Sequence, residues 1–160
     1  MGFVYTVSFA GTVTAAGGDT DWLELTPADD KPCRLRGWII GQTTEVGDAA
    51  EENLRFSIIL LPATVTSGNG TATTGRPMVD TAPAAGFAAE TNGTTVGTTS
   101  GTALTLLELS WNERSSPWEF WFPEEDFSPT VRQASALVFR QQTTLADDMT
   151  ATATFFIEEL

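Results

Sequence analysis

Two runs of bulky and β-branched side chains constrain this chain most. They are Cys33-Arg34-Leu35-Arg36-Gly37-Trp38-Ile39-Ile40-Gly41-Gln42, entered through Ala28-Asp29-Asp30-Lys31-Pro32, and Asn53-Leu54-Arg55-Phe56-Ser57-Ile58-Ile59-Leu60-Leu61-Pro62. Turn formers bound both, which marks buried strands, and they read as the two central strands of a sheet protein. Strand side chains alternate between faces, so Leu54, Phe56, Ile58 and Leu60 point together while Arg55, Ser57, Ile59 and Leu61 point the other way. One face is fully apolar and the other only partly so. Between the runs, Gly47-Asp48-Ala49-Ala50-Glu51-Glu52 sets an Asp three residues before a Glu, the spacing at which side chains satisfy free amides at a helix start. That spacing predicts one short helical turn near 48–53.

The same alternation recurs along the chain. Phe3, Tyr5, Val7 and Phe9 alternate with Val4, Thr6, Ser8 and Ala10, with Gly11 marking an expected bulge or bend. Gly17-Gly18-Asp19 reads as a turn before a short strand Trp22-Leu23-Glu24-Leu25. Strands follow at Leu104 to Trp111, Trp118 to Phe122, Ser135 to Thr144 and Thr150 to Ile157, the last two as a hairpin-like C-terminus. In the final strand Ala151, Ala153, Phe155 and Ile157 face inward, and Thr150, Thr152 and Thr154 face out. Pro117 and Pro123 bracket Trp118 to Phe122 and place it at a sheet edge or at strand termini.

Residues 63–103 differ in texture. This long Thr/Ala/Gly-rich excursion has few large side chains, with Arg76-Pro77-Met78 and Ala85-Gly86-Phe87 as its anchors. A connection of such length inside a compact domain is functional or built partly from its own strands, and 94–99 is β-prone. The remainder looks too sparse to make a core, so a neighbour outside the domain is the expected source of its order. About eight antiparallel strands with one long connection predict an all-β fold, a jelly-roll or Greek-key β-sandwich forming a single domain over 1–160. An immunoglobulin-like sandwich is the nearest competitor, but it lacks its Cys pair and intervening Trp here.

Composition narrows function. The formal net charge of −13 and a pI near 4.1 oppose nucleic acid, whose affinity comes from Lys and Arg on phosphates, and oppose an anionic lipid surface. No apolar stretch is long enough to span a bilayer, and the N-terminal residues lack the basic and apolar regions of a signal peptide, so a soluble protein without a cleaved leader is expected. With no His in the chain, Ser-His and Cys-His catalysis and Cys/His zinc sites are excluded. The lone Cys33 reads as a small buried strand residue. Neighbouring carboxylates (Asp19 and Asp21, Asp29 and Asp30, Glu51 and Glu52, Glu124 to Asp126, Asp147 and Asp148, Glu158 and Glu159) point apart on strands or form turns, and none has calcium-loop spacing. The expectation is no enzyme, no cofactor and no metal.

Aromatic residues carry the sharper signal. Trp118, Phe120 and Phe122 read as core, and Trp121, on the opposite side, reads as an interface anchor. Arg76, isolated in the excursion, suits a partner's carboxylate, and Met78 and Phe87 complete the candidate interface set. Trp111 and Trp121 are the alternatives for stacking on a sugar.

The ordered set Ala28-Asp29-Asp30-Lys31-Pro32, Arg34-Leu35-Arg36-Gly37, Gly41-Gln42, Glu45-Val46-Gly47-Asp48-Ala49-Ala50-Glu51-Glu52, Arg76-Pro77, Ala85-Gly86-Phe87-Ala88-Ala89-Glu90 and Glu158-Glu159-Leu160 resembles a family of small acidic virion proteins of tailed bacteriophages and prophages. The resemblance covers nearly the whole chain and is most specific at the Gly47-to-Glu52 block together with its preceding strand. It implies a virion context and no catalytic residue. The role it suggests is a capsid decoration (cement) protein, a homotrimer or homodimer on the outer surface of the head, bridging neighbouring major capsid proteins. It would pass through the host cytoplasm during assembly. A phage tail or fibre component with a carbohydrate- or receptor-binding jelly roll is the alternative.

Overall fold

The structure, a computed structural model, describes residues 2–43, 52–115 and 117–160. The expected helical turn near 48–53 falls largely on residues 44–51, outside the described residues, and Asn53 already opens a strand. Among the described residues the elements are β1 (Phe3–Val13), a 3₁₀ turn (Ala15–Gly17), β2 (Thr20–Thr26), β3 (Cys33–Gln42), β4 (Asn53–Leu61), β5 (Val65–Thr66), β6 (Thr71–Thr73) and β7 (Arg76–Pro77). They continue with β8 (Ala88–Thr91), β9 (Thr98–Thr99), β10 (Leu104–Asn112), β11 (Trp118–Trp121), a 3₁₀ turn (Glu125–Phe127), β12 (Thr130–Val131), β13 (Ala136–Gln141) and β14 (Met149–Glu159). All eight strands expected from alternation are present, and six short ones join them.

Twelve of these strands form two packed six-stranded sheets, and β5 and β9 pair as a separate two-stranded ribbon. Sheet A runs β11-β3-β14-β1-β7, with β12 also on β3, and sheet B runs β10-β4-β13-β2-β8-β6. The principal strands pair from the outside of the chain inward: β1 with β14, β2 with β13, β3 with β11 and β4 with β10, all antiparallel. The pairings of β14 with β3 and of β13 with β4 close the two sheets. This is a long hairpin rolled on itself, the jelly roll, and it differs from the immunoglobulin arrangement.

Several expectations are corrected by that topology. The strands β3 and β4 are not the central pair, because each lies second from the edge of a different sheet. Likewise β13 and β14 do not form a hairpin, since the chain crosses from sheet B to sheet A between them. Gly11 sits in an unbroken ladder opposite Ala151, and the register shifts lie at Thr105/Leu107, Phe139/Arg140 and Phe156/Ile157. The edge position expected for Trp118 to Phe122 is observed, as β11 ends sheet A.

The inward faces make one core. Trp38 of sheet A lies 5.1 Å from Phe139 of sheet B, centroid to centroid, and stacks at 4.8 Å on Phe120. Trp118 meets Phe56 of sheet B at 5.5 Å and Trp111 at 6.2 Å, so indoles seal the side where β10 and β11 run. Tyr5, Val7, Trp22, Leu35, Phe155 and Ile157 are also fully buried. Each such side chain contributes roughly 1.5–3 kcal/mol through burial.

The excursion 63–103 is built onto the sandwich. Its strands β8 and β6 extend sheet B beyond β2, β7 adds to β1, and β5 pairs with β9. Only Thr98–Thr99 of the β-prone 94–99 is a strand. The expectation that a neighbour orders this segment is therefore corrected: the domain orders it. A second apolar cluster explains how, for Ile59, Leu61, Ala136 and Val138 on the outer face of sheet B pack with Val65 of the excursion.

Candidate functional site: the outer face of sheet A

Two clamps hold the excursion, and both consume carboxylates that could otherwise serve chemistry. Asp21, 3% exposed, takes Arg140 through both oxygens at 2.6 and 2.9 Å, and its Oδ2 also accepts the Gly97 amide at 2.8 Å. Arg140 donates further to the Gly97 carbonyl at 2.8 Å. Burial raises the Asp21 carboxyl above its ordinary value, while Arg140 and the Gly97 amide pull it back. A Cβ at Gly97 would lie 2.6 Å from Glu24 Oε2, so that carboxylate would have to shift to admit one.

In the second clamp, buried Glu159 accepts Lys31 Nζ at 2.8 Å and the Gly86 amide at 2.6 Å, and the Leu160 amide donates to the Pro32 carbonyl at 2.9 Å. The stretches Lys31-Pro32, Gly86-Phe87 and Glu159-Leu160 thus meet in one knot. Phe87 belongs to it: 8% exposed, it packs edge-on against Tyr5 at 5.6 Å, which removes it from the candidate interface. Trp111 is buried as well and offers no platform for a sugar. Cys33 is buried as expected, and burial pushes its thiol up to about 12, so it is no nucleophile at neutral pH. Among the described residues no group of three or more Asp, Glu or Cys side chains is placed to hold a metal ion.

The other candidates share one surface. Trp121 opposes Gly37, Gly37 opposes Phe156, Phe156 opposes Thr6, and Thr6 opposes Arg76, which makes a single transverse row across the outer face of sheet A. Trp121, 45% exposed, lies 4.5 Å from the half-buried Phe156 ring, and its Nε1 donates to Glu119 at 2.5 Å. Gly37 makes this possible, since a Cβ there would collide with the Phe120 carbonyl and come within 2.9 Å of the indole. Ile39, also exposed, stands one row along, opposite Glu119 and Thr154, and Ser8 and Thr154 join hydroxyls at 2.9 Å. Arg34 and Arg36 close another part of the face through Glu158, at 3.5 and 3.6 Å.

At the far edge the row ends in a trough of about 450 Å³ lined by Thr6, Ser8, Ala72, Thr73, Thr74 and Arg76. The Arg76 guanidinium makes no ion pair with any described residue. Met78 continues from the same edge, 59% exposed, its amide bonded to the Val4 carbonyl at 2.9 Å. Sequence reasoning did not single out Phe156, Ile39 or Gly37. For Phe156 the signal was at hand, because an inward Phe155 forces its neighbour outward.

The fold is an antiparallel jelly-roll sandwich in which, among the described residues, one outer face is occupied by its own chain and the other is open. No protein-family model, no curated protein and no solved structure matches this chain.

Proposed function

We propose that the protein is a contact-making structural component of a virion, a capsid decoration protein that seats the outer face of sheet A on neighbouring major capsid proteins. The observation that carries this reading is the asymmetry of the two outer faces. Sheet B is covered by the excursion, whereas sheet A presents Trp121, Phe156 and Ile39 beside hydroxyls and the unpaired Arg76. An exposed indole with a half-buried ring behind it and a polar rim is how interface anchors are built. The virion context rests on the sequence resemblance alone. A homotrimer or homodimer would reuse one such patch at many equivalent lattice sites.

The test is binding of the purified protein to expanded heads that lack it. Wild type should bind, and Trp121→Ala should weaken binding by about tenfold or more, the effect of removing an anchor worth about 1.4 kcal/mol or more. Equal binding by wild type and variant, or none by either, would overturn the proposal. A second reading, a carbohydrate-binding tail or fibre component, is favoured by one observation, the hydroxyl-lined trough that ends at Arg76. Glycan-array binding abolished by Arg76→Ala would select it.

A further inference from the structure

The trough at the far edge of the open face holds a cation with no counter-charge among the described residues. The chain carries 21 Asp and Glu against 8 Lys and Arg, and Lys31, Arg34, Arg36, Arg55 and Arg140 are each paired with a carboxylate. In such an excess of acid a surface Arg readily finds one, yet no Asp or Glu lines the trough that Arg76 closes. Its planar fork of donors is left to solvent or to a ligand.

The backbone beneath Arg76 is fixed from several sides. Arg76 pairs with Thr6 and Pro77 with Tyr5 in the ladder, Thr6 Oγ1 donates to the Arg76 carbonyl at a long 3.4 Å, and the Met78 amide donates to the Val4 carbonyl at 2.9 Å. Gly75 lies directly on the buried Phe87 ring, where a Cβ would come within 2.6 Å of Cζ. The fold has already ordered this stretch, so a ligand has little of it left to order.

The rest of the lining is Thr6, Ser8, Ala72, Thr73 and Thr74, which supply four hydroxyls and no large apolar side chain. Thr73 is turned to Thr91 and the Thr71 carbonyl, whereas Thr74 makes no hydrogen bond with any described residue. Ser8 and Thr154 share one hydrogen bond, which leaves the pair one proton to donate. Hydroxyls that both donate and accept match a sugar ring, which presents the same groups on successive carbons. The Arg fork matches a carboxylate through two parallel bonds. At about 450 Å³ the trough lies in the range of roughly 300–1,000 Å³ found for small-ligand sites.

We propose that this trough binds an acidic sugar, with the sugar carboxylate on the Arg76 guanidinium and ring hydroxyls on Ser8 and Thr74. The inference rests on the carbohydrate reading of the trough, which it narrows to sugars that carry a carboxylate. It is independent of Trp121 and of attachment to heads.

The test is an NMR titration of the isotope-labelled full chain at constant ionic strength. The probes are the methyl glycosides of glucuronic acid and of N-acetylneuraminic acid, methyl glucoside, which has a hydroxymethyl group where the glucuronide has its carboxylate, and sodium acetate. At least one acidic glycoside should shift the amides of residues 72–76 and of Thr6 to Ser8, with a dissociation constant on the order of 1 mM for so open a site. Methyl glucoside and acetate should each bind about tenfold more weakly or less, and Arg76→Gln should weaken the acidic glycoside about tenfold or more. Trp121→Ala should bind it as wild type does. Equal binding of the glucoside and an acidic glycoside, or unchanged binding by Arg76→Gln, would overturn the carboxylate assignment and leave the carbohydrate reading standing. Acetate binding as tightly as the acidic glycosides would show that charge alone is read, and would overturn the assignment of a sugar. No shift with any of the three glycosides up to about 20 mM would overturn both the inference and the carbohydrate reading.

Discussion

The outer faces of the two sheets are made from strands of the same kind and end in opposite conditions. On sheet B, Ile59, Leu61, Ala136 and Val138 are buried under residues of the 63–103 excursion. On sheet A, Ile39 and Trp121 stay exposed, and no segment among the described residues lies over them. The difference teaches that the excursion acts as a cover for one face, which leaves the other as the surface available to a partner. Edges fit the same division. The long edge strand β10 is interrupted by a register shift at Thr105/Leu107 and carries the Arg55–Glu108 ion pair on its outer side, features that discourage strand addition.

The largest break in this comparison should come from the clamp under the cover. Asp21→Ala removes a buried carboxylate and leaves the largely covered Arg140 without its ion-pair partner, a loss of about 3 kcal/mol. Urea unfolding should register it, and limited proteolysis should cut within 63–103 in the variant and not in the wild type. Unchanged resistance to protease would mean that the cover holds without its clamp.

Ile59→Ala removes a core residue of the covered face and should cost about 2–3 kcal/mol by the same unfolding measurement. Its counterpart on the open face, Trp121→Ala, should cost about 1 kcal/mol or less, with its larger effect being the tenfold or greater weakening of head binding expected under the proposed function. If the two substitutions destabilised equally, the faces would not differ as described.

The smallest effect concerns Glu108, whose carboxyl is held below its ordinary value by hydrogen bonds from Arg55 and Ser57. A carboxylate lowered in the fold contributes stability that is complete above the unfolded-state value and is lost as pH falls through the lowered one. Glu108→Gln should therefore flatten part of the acid limb of stability below pH 4.5, and high salt should mute the difference. An unchanged acid limb would show that the pair contributes nothing.

Much of this fold was legible because period-two alternation is a local signal. It located all eight principal strands, the inward set Ala151, Ala153, Phe155 and Ile157, and the outward side of Trp121. The two-sheet arrangement followed from strand number and one long connection. What escaped was non-local. The inward role of Phe87 depends on Tyr5, and Arg140 meets Asp21 across a separation of 119 residues; no window of sequence contains such pairs. The crossing between β13 and β14 was misread as a hairpin because a short turn-rich linker serves both. The excursion seemed too sparse to fold because its apolar contacts lie on sheet B and not within itself. Of the interface candidates, Trp121, Arg76 and Met78 are accessible, and Trp121 and Arg76 share a row that strand register alone created.

The division into a covered face and a contact face is tested most directly by oxidative footprinting of the free protein and of the protein bound to expanded heads. The account expects protection on binding at Trp121, Phe156 and Met78, with the labelling of residues 63–75 and 92–103 unchanged. Protection confined to those excursion segments, with Trp121 labelled equally in both states, would contradict it.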